Sequence, residues 1–374
     1  MYTTLELILK KKSKVAIRKN KFFKLPITQK KEMTERKYSI NMDKYKIKKE
    51  KNQDFYNLIE PFVSRKNLKL IEDCGGFLMF LADKFLENKK LHSGDFCKNR
   101  FCPMCAWRLA MRDTLKISIL MQYIKEEHDK DFIFLTLTTP NVRGEHLEEE
   151  IVKYNKAFKN LMQRTEVKTV VKGYIRKLEV TYSKEKYITK EMYLSREQYY
   201  INRELEVDDE NPTYNTYNPH FHVVIAVDKS YFKSRLYIKH SRWLELWREC
   251  TKDETITQVH IQKAKGDNAK QVYELAKYSA KDSDYLINEE VFGVFYKALK
   301  GKQLVVYSGL FKDGLQLFKR GELDKYKQKD LTEYIYMLAY KWQTNDYEEY
   351  IKRELTEEEK KKFNYNYKED TEVD

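Results

Sequence analysis

The sequence lacks the long hydrophobic runs of a membrane protein. None of its 374 residues lies in an apolar stretch approaching the roughly 20 residues that a transmembrane helix needs. The first residues, MYTTLELILKKKSK, contain no signal-peptide cleavage pattern. We therefore expect a cytoplasmic protein without a membrane partner. The sequence also contains no internal repeat, so a solenoid or propeller is not expected.

Cysteine is scarce, and its placement is uneven. The chain has five cysteines, and three of them lie in CKNRFCPMC, residues 97–105. Because disulfides are disfavoured in a cytoplasm, this C-x4-C-x2-C spacing favours thiolate ligation of a structural Zn²⁺ by Cys97, Cys102 and Cys105. Three reduced thiols without a metal are the alternative. Redox chemistry is disfavoured, because the surroundings do not resemble the C-x-x-C of an oxidoreductase on a βαβ unit.

A tetrahedral zinc site needs a fourth ligand, and the sequence offers two candidates. Cys74, in EDCGGF, is our first choice, since the two glycines after it permit a tight turn. His92 is the competitor.

Positive charge is concentrated at the N-terminus. The net charge is +14, and residues 1–53 contain 17 Lys or Arg against 5 Asp or Glu. Phe22, Phe23 and Tyr38 are interleaved with these lysines, which suits a segment attracted to phosphate and able to stack on bases. A solvated basic leader without a specific role is the alternative.

Histidine is also scarce, yet two of the seven histidines lie two residues apart in NPHFHVVIAV, residues 218–227. In a β-strand, His220 and His222 point to one face, while Phe221 and Val223 point to the other. Two imidazoles on one face suit a metal ion, and a hydrogen-bonded pair in an ordinary sheet is the alternative.

The remaining pattern predicts an α+β fold. Helical patterns at 105–126 and 146–164 alternate with strands at 131–141 and 173–183, and residues 184–217 form an irregular excursion. Because a regular βαβ rhythm is missing, we expect an antiparallel sheet covered by helices.

A helical pattern near residues 269–286 separates two stripes. One stripe should face the protein and contains Val272, Leu275, Ala276, Ser279 and Ser283. The opposite stripe contains Glu274, Tyr278, Lys281 and Tyr285. It is either a solvated helix face or an active-site strip, in which Lys281 stabilises a phenolate or binds phosphate and Glu274 acts as a base.

Three stretches, FLTLTTPN, NPHFHVVIAV and ELAKYSAKDSDYL in that order, resemble the motifs of plasmid rolling-circle replication initiators. These proteins form the Rep type 1 group of HUH endonucleases, named for histidine, hydrophobic residue, histidine. CKNRFCPMCAWR and KGKQLVVYSGLFK are similar to that group as well, so the resemblance spans roughly residues 68–315. With the charge pattern, it predicts a basic arm (1–53), a helical zinc-knuckle region (54–130), an HUH nicking domain (131–315) and a charged helical tail (316–374), of which the arm and the tail lie outside the resemblance.

The resemblance implies the roles of single residues. His220 and His222 bind a divalent ion, Mg²⁺ or Mn²⁺, and Glu179 matches the carboxylate that completes the triad. Tyr278 matches the nucleophile, and Glu274 matches the glutamate that replaces a second catalytic tyrosine. Tyr285 is the alternative nucleophile.

The expected function is nicking of one strand of origin DNA through a phosphotyrosine intermediate, with rejoining at termination. The resemblance implies origin DNA with a hairpin or single-stranded nick site, a host helicase and a DNA polymerase as partners, and a homo-oligomer is compatible with it. Two rivals remain, namely a relaxase or transposase of the HUH type and a zinc-dependent DNA-binding regulator without catalysis.

Overall fold

The computed structural model describes residues 27–264, 272, 281–364, 366 and 367, and only the backbone of residues 27–41. The chain divides into two compact units, residues 1–42 and 43–374. The first is described as helical backbone from residue 27 onwards, and the second contains both sheets. None of the described helices is both long and apolar enough to cross a membrane.

The helices and strands of the described residues alternate along most of the chain. In chain order they are α1 (Ile27–Ile59), α2 (Arg65–Asp73), β1 (Phe77–Asp83), β2 (Lys89–Gly94), α3 (Pro103–Glu127), β3 (Lys130–Leu137), α4 (Leu147–Gln163), α5 (Thr165–Val170), β4 (Gly173–Ser183), α6 (Lys190–Ser195), α7 (Glu197–Ile201), β5 (Thr216–Asp228), α8 (His240–Thr251), β6 (Val259–Lys263), α9 (Asp282–Tyr285), α10 (Glu289–Leu299), β7 (Val305–Gly309), α11 (Leu310–Lys319), β8 (Tyr334–Gln343), β9 (Asp346–Glu354) and α12 (Glu357–Phe363). Short 3₁₀ helices cover Glu60–Phe62, Gly144–His146, Lys229–Lys233 and Asp324–Tyr326.

The larger sheet has the strand order β6-β3-β5-β4-β7, and all of its neighbouring strands are antiparallel. Its longest pairing joins β4 to β5, from Gly173 opposite Ala226 to Ser183 opposite Thr216. The observed bounds of β4 are those predicted from the sequence. The central strand β5 carries both histidines of the HFH stretch.

Helices cover this sheet on both faces. On the face of the histidines, α3 and α11 pack against the strands through a core that includes Leu120, Val224 and Phe311. On the other face, Phe158 of α4 contacts Phe221 of β5 with ring centroids 5.4 Å apart. The predicted α+β class, with an antiparallel sheet covered by helices, is therefore confirmed.

The smaller sheet has the order β2-β1-β8-β9, which corrects two predictions. Residues 54–130 are not helical throughout, because β1 and β2 form a hairpin there. The tail at 316–374 is not simply helical either, because β8 and β9 form a second hairpin. Its two turn residues, Thr344 and Asn345, both have positive φ (45° and 70°), as the tightest hairpin turns require.

The predicted basic arm ends at residue 53, within α1, which continues to Ile59, and the second compact unit begins at residue 43. Tyr45, Lys49 and Asn52 are buried in the second unit. The ring of Tyr45 packs between Phe80 of β1 and Trp107 of α3. Residues 43–53 therefore belong to the folded core.

The predicted helix over 269–286 does not continue unbroken to its end. Lys281 has an extended backbone (φ −72°, ψ 141°) and precedes the separate short helix α9. Val272 is buried as predicted, whereas Ser283 is exposed and Tyr285 is buried, the reverse of the prediction. Glu274 and Tyr278 lie outside the described residues.

Candidate metal centres

The two histidines lie at the end of β5 where its pairing with β3 stops. The pairing of β3 with β5 ends at Leu137, opposite Phe221. Pro219 follows beyond that point, where its missing N–H costs no bond to β3. Its carbonyl oxygen instead accepts a hydrogen bond from the Thr139 hydroxyl, 3.3 Å away. Next to His220, β5 is therefore no longer paired with β3.

The register of β4 and β5 brings the acidic residue to the histidines. Glu179 lies directly opposite His220, and Lys177 lies opposite His222. Oε2 of Glu179 is 3.0 Å from Nε2 of His222 and 3.8 Å from Nε2 of His220. One potential ligand atom from each of the three residues lies within 4.8 Å of the other two. The structure therefore brings together the three residues that the sequence analysis singled out.

Hydrogen bonds orient the two imidazoles. Nδ1 of His220 is 3.2 Å from the carbonyl oxygen of Asn218, which can only accept a bond, so Nδ1 carries a proton and Nε2 is the atom that a metal would bind. Nδ1 of His222 is 3.4 Å from the hydroxyl of Thr136. Such bonds on the far nitrogen are typical of metal-ligating histidines.

The donor set fits a divalent cation. Nε2 of His222 and Oε2 of Glu179 are both buried atoms and lie close together, so two potential ligands face one point. The Glu179 side chain is 2% exposed, whereas those of His220 and His222 are 12% and 18% exposed. Three ligands with an accessible side leave room for a phosphate oxygen.

Lys177 was not selected from the sequence, although it shares the polar face of its strand with Glu179. Its side chain is 1% exposed and lies opposite His222 in the register. A solvated lysine was the simpler interpretation of that pattern, because burial of an ammonium group needs compensation. Lys177 is therefore a buried polar residue on the face of the sheet that carries Glu179, His220 and His222.

The FLTLTTPN stretch contacts the histidine strand through side-chain amides. The Asn218 amide donates to the carbonyl oxygen of Thr139 (2.7 Å) and to Oδ1 of Asn141 (3.1 Å). Asn141 in turn donates to the hydroxyl of Thr216 (2.8 Å). These bonds hold the loop after β3 against the beginning of β5, next to His220.

The segments on either side of Glu274 and Tyr278 both contact the sheet. Before them, Val272 packs in the core cluster that contains Ile175. After them, Oδ2 of Asp284 accepts a bond from the backbone N–H of Tyr182 (3.4 Å). Ile175 and Tyr182 lie on opposite sides of Glu179 along β4.

The other two residues of the predicted strip are described. Lys281 is exposed. Tyr285 is 1% exposed, and its hydroxyl donates to the carbonyl oxygen of Phe101 (2.9 Å). A buried and engaged hydroxyl makes Tyr285 a poor nucleophile.

The second group consists of four cysteines at the ends of secondary-structure elements. Cys74 follows α2, and Gly75 after it adopts a φ of 72° that a glycine tolerates best. Cys102 precedes the first residue of α3, and Cys105 lies in its first turn. Cys97 completes the group from the loop before α3.

The geometry of the four sulfurs fits tetrahedral zinc. Sγ of Cys74 is 3.5 Å from that of Cys102 and 3.6 Å from that of Cys105, and the Cys97 and Cys105 sulfurs are 3.7 Å apart. A tetrahedron with Zn–S bonds of about 2.3 Å has an S···S edge of about 3.8 Å. His92, the competing fourth ligand, is outside this group, and its ring packs on Phe363.

Side chains of α1 support the cysteine group. Nζ of Lys49 donates to the carbonyl oxygens of Glu72 (2.7 Å) and Cys74 (2.9 Å). Oδ1 of Asn52 accepts a bond from Sγ of Cys102 (3.0 Å). Burial lowers the pKa of Lys49, although the nearby thiols oppose the shift.

The thiols differ in their acidity. Hydrogen bonds from the other thiols, that of Cys102 first, lower the pKa of Cys105, whereas burial raises the pKa of Cys102.

The sequence matches a known family over most of its length. The family model described as "Replication protein" (Rep_1) covers residues 88–351. A relative from Staphylococcus aureus named "Protein rep" is 50% identical over 250 residues, which are 67% of this chain and 97% of the relative. A "Protein rep" from a Bacillus species is 31% identical over 277 residues, covering 68% of this chain and 80% of the relative.

A third relative, "Protein rep" from Bacillus amyloliquefaciens, is 30% identical over 299 residues, covering 72% of this chain and 79% of the relative. No solved structure matches the chain. The family match includes both candidate metal centres apart from Cys74. The chain belongs to the Rep_1 family of plasmid replication initiators.

Proposed function

We propose that this initiator is an HUH endonuclease that nicks one strand of its plasmid origin and later rejoins it. The observation that carries the proposal is the convergence of Glu179, His220 and His222 on two adjacent central strands. His220, His222 and Glu179 would hold Mg²⁺ or Mn²⁺, which when bound acts as a Lewis acid on the scissile phosphate.

Tyr278 is the proposed nucleophile. Its phenolate oxygen attacks phosphorus, and the bond from phosphorus to the 3′ oxygen breaks as the bond to tyrosine forms. The 3′ oxygen takes a proton and becomes the hydroxyl that primes DNA polymerase, while the 5′ phosphate stays on Tyr278. The tyrosyl ester retains the energy of the phosphodiester, so the strand can be rejoined without ATP.

Lys281 and Glu274 have supporting roles in this proposal. Lys281, an exposed ammonium three residues after Tyr278, offsets the charge of the phenolate or of the phosphate. Glu274 accepts the proton of a water molecule or of an incoming 3′-hydroxyl at termination. Cys74, Cys97, Cys102 and Cys105 would hold a structural Zn²⁺.

The partners follow from the reaction. Origin DNA with a hairpin or single-stranded nick site is the substrate. A host helicase separates the strands, and a host DNA polymerase extends the exposed 3′ end. The basic residues of the first unit attract the phosphates of the duplex.

The test is a nicking assay on supercoiled plasmid that carries the sequence flanking the gene, with Mn²⁺ added. The wild-type protein should convert supercoiled to open-circular DNA and should become covalently attached to it. Tyr278→Phe removes the only oxygen that can form the ester but keeps the ring, so it should bind DNA and form no adduct. Tyr350→Phe is the matched control, because Tyr350 is exposed on β9 in the other sheet.

Mass spectrometry of the nucleotide-bearing peptide identifies the nucleophile. An adduct on Tyr285, or one that persists in Tyr278→Phe, would contradict the assignment of Tyr278. Plasmid that stays supercoiled with the wild-type protein would favour a DNA-binding regulator without catalysis.

A further inference from the structure

Asp282, four residues after Tyr278, forms ion pairs with two lysines of α1. Its Oδ2 is 3.0 Å from Nζ of Lys48, and its Oδ1 is 3.0 Å from Nζ of Lys51. The Asp282 side chain is 17% exposed. Isolated surface ion pairs stabilise little, but a largely buried carboxylate shared between two lysines is more strongly held.

The ionisation of Asp282 agrees with this arrangement. Burial acts to raise the pKa of Asp282, but Lys48 and Lys51 overcome that effect and hold it below the usual value for aspartate. The carboxylate therefore stays charged and paired at neutral pH.

The same stretch of α1 also contacts the cysteine group. Lys48 and Lys51 are three residues apart and share one side of the helix, while Lys49 and Asn52, also three apart, share the neighbouring side. Lys49 binds the Cys74 carbonyl oxygen and Asn52 binds the Cys102 thiol. One helical turn thus joins the cysteine group to Asp282.

The cysteine loop provides a second contact to the same segment. Phe101, directly before Cys102, accepts the hydrogen bond of the Tyr285 hydroxyl. Its ring also packs edge-on against the Tyr285 ring, with centroids 6.1 Å apart. Asp282 and Tyr285 are therefore held from two sides by the N-terminal part of the second unit.

We propose that Lys48 and Lys51 are positioning residues for nicking, because they hold Asp282, which lies four residues after the proposed nucleophile in the sequence. This inference rests on the proposed function of Tyr278. It gives the cysteine group and α1 a role in the reaction beyond stability, since they hold the lysines in place. Small displacements of a reacting group are costly, because misplacement by about 1 Å can lower a rate by about a hundredfold.

The test measures kcat and KM for cleavage of a single-stranded oligonucleotide that contains the nick site, using the full chain with Mn²⁺. Asp282→Asn keeps the size of the side chain and removes its charge. We expect kcat to fall about tenfold or more while KM stays within about twofold, because DNA contacts are retained and only alignment is lost. Asp282→Glu, which restores the charge, should recover most of the rate.

Two further variants make the test specific. Lys48→Met combined with Lys51→Met should lower kcat by a similar factor, and adding Asp282→Asn should cause no further loss, because the three residues act as one unit. Asp346→Asn is the matched control, since Asp346 pairs with Lys46 of the same helix at 3.3 Å but lies on β9. Its kcat should equal that of the wild type.

Zinc content and the thermal transition are measured for each variant and should be unchanged. The inference is overturned by a wild-type kcat in Asp282→Asn, by losses that multiply in the triple variant, or by a loss of zinc that accompanies the fall in rate. If Tyr278→Phe cleaves like the wild type, the proposed function fails and the inference falls with it. If Tyr278→Phe is inactive but Asp282→Asn is fully active, the inference alone fails.

Discussion

Glu179 is the least exposed of the three residues that converge at the candidate metal centre on β4 and β5. Its carboxylate is almost fully buried and the two imidazoles are partly accessible, so a cation held by all three would be approached from the side of the histidines. Lys177 lies two residues before Glu179, on the same face of β4, and is buried opposite His222.

We predict that Glu179→Gln abolishes Mn²⁺-dependent nicking while origin binding changes by less than about tenfold. The amide keeps the shape of the side chain but is a weaker ligand for a divalent ion, and most DNA contacts that set affinity go to the backbone elsewhere. His220→Ala and His222→Ala should behave in the same way.

Nicking and gel-shift assays on the same origin fragment measure the two properties. Glu185→Gln is the control, because Glu185 lies beyond the end of β4 and is exposed. A Glu179→Gln protein that nicks at the wild-type rate would remove this carboxylate from the site.

At the scale of elements, the cysteine group connects α1, α2 and α3, which come from different parts of the chain. It also contacts β9, because the Tyr347 hydroxyl donates to the carbonyl oxygen of Gly75 (2.7 Å). A structural metal at such a junction would contribute its binding free energy to folding.

Cys102→Ser should therefore lower both zinc content and the temperature of thermal unfolding. Serine keeps the size of the side chain but cannot replace a buried thiolate as a zinc ligand. Elemental analysis and a thermal melt measure the two effects. Cys250→Ala is the control, since Cys250 is also buried but lies in α8, outside the cysteine group. Wild-type protein that contains no zinc after purification without chelator would contradict the prediction.

Elements with a strong local pattern were predictable, and those that depend on distant partners were not. The alternation in β4 predicted its bounds, and the HFH spacing predicted that both imidazoles share a face. By contrast, β9 is exposed at nearly every position and has no alternation to detect, because only its pairing with β8 makes it a strand.

The two candidate metal centres also depend in part on contacts between residues that are distant in the sequence. The spacing of residues 97–105 predicted a zinc knuckle, and the two glycines after Cys74 made it the first choice for the fourth ligand, but the alternative, His92, was set aside only by the structure, in which Cys74 joins the other three cysteines. The register of β4 with β5, which places Glu179 opposite His220, could be anticipated only through the family resemblance.

At the scale of the whole molecule, the basic N-terminus and the five-stranded sheet belong to different units. Residues 1–41 contain 12 Lys or Arg against 3 Asp or Glu, whereas Tyr45, Lys49 and Asn52 of α1 are buried in the second unit. A deletion that ends at residue 53 would remove Lys49 and Asn52, which contact the cysteine group. A fall in DNA affinity could then come either from the lost positive charge or from a damaged fold.

Deleting residues 1–41 instead should weaken origin binding and flatten its salt dependence. Each phosphate neutralised by a lysine or arginine contributes about −0.9 to the slope of log affinity against log salt, so fewer cations displace fewer counterions. Affinity measured at several salt concentrations gives this slope, and unchanged zinc content verifies that the second unit is intact. A full-length variant with the 12 basic residues replaced by glutamine should match the deletion, because charge and not length causes the effect. If the slope of the deletion variant equals that of the wild type, the basic N-terminus makes no contribution to DNA binding.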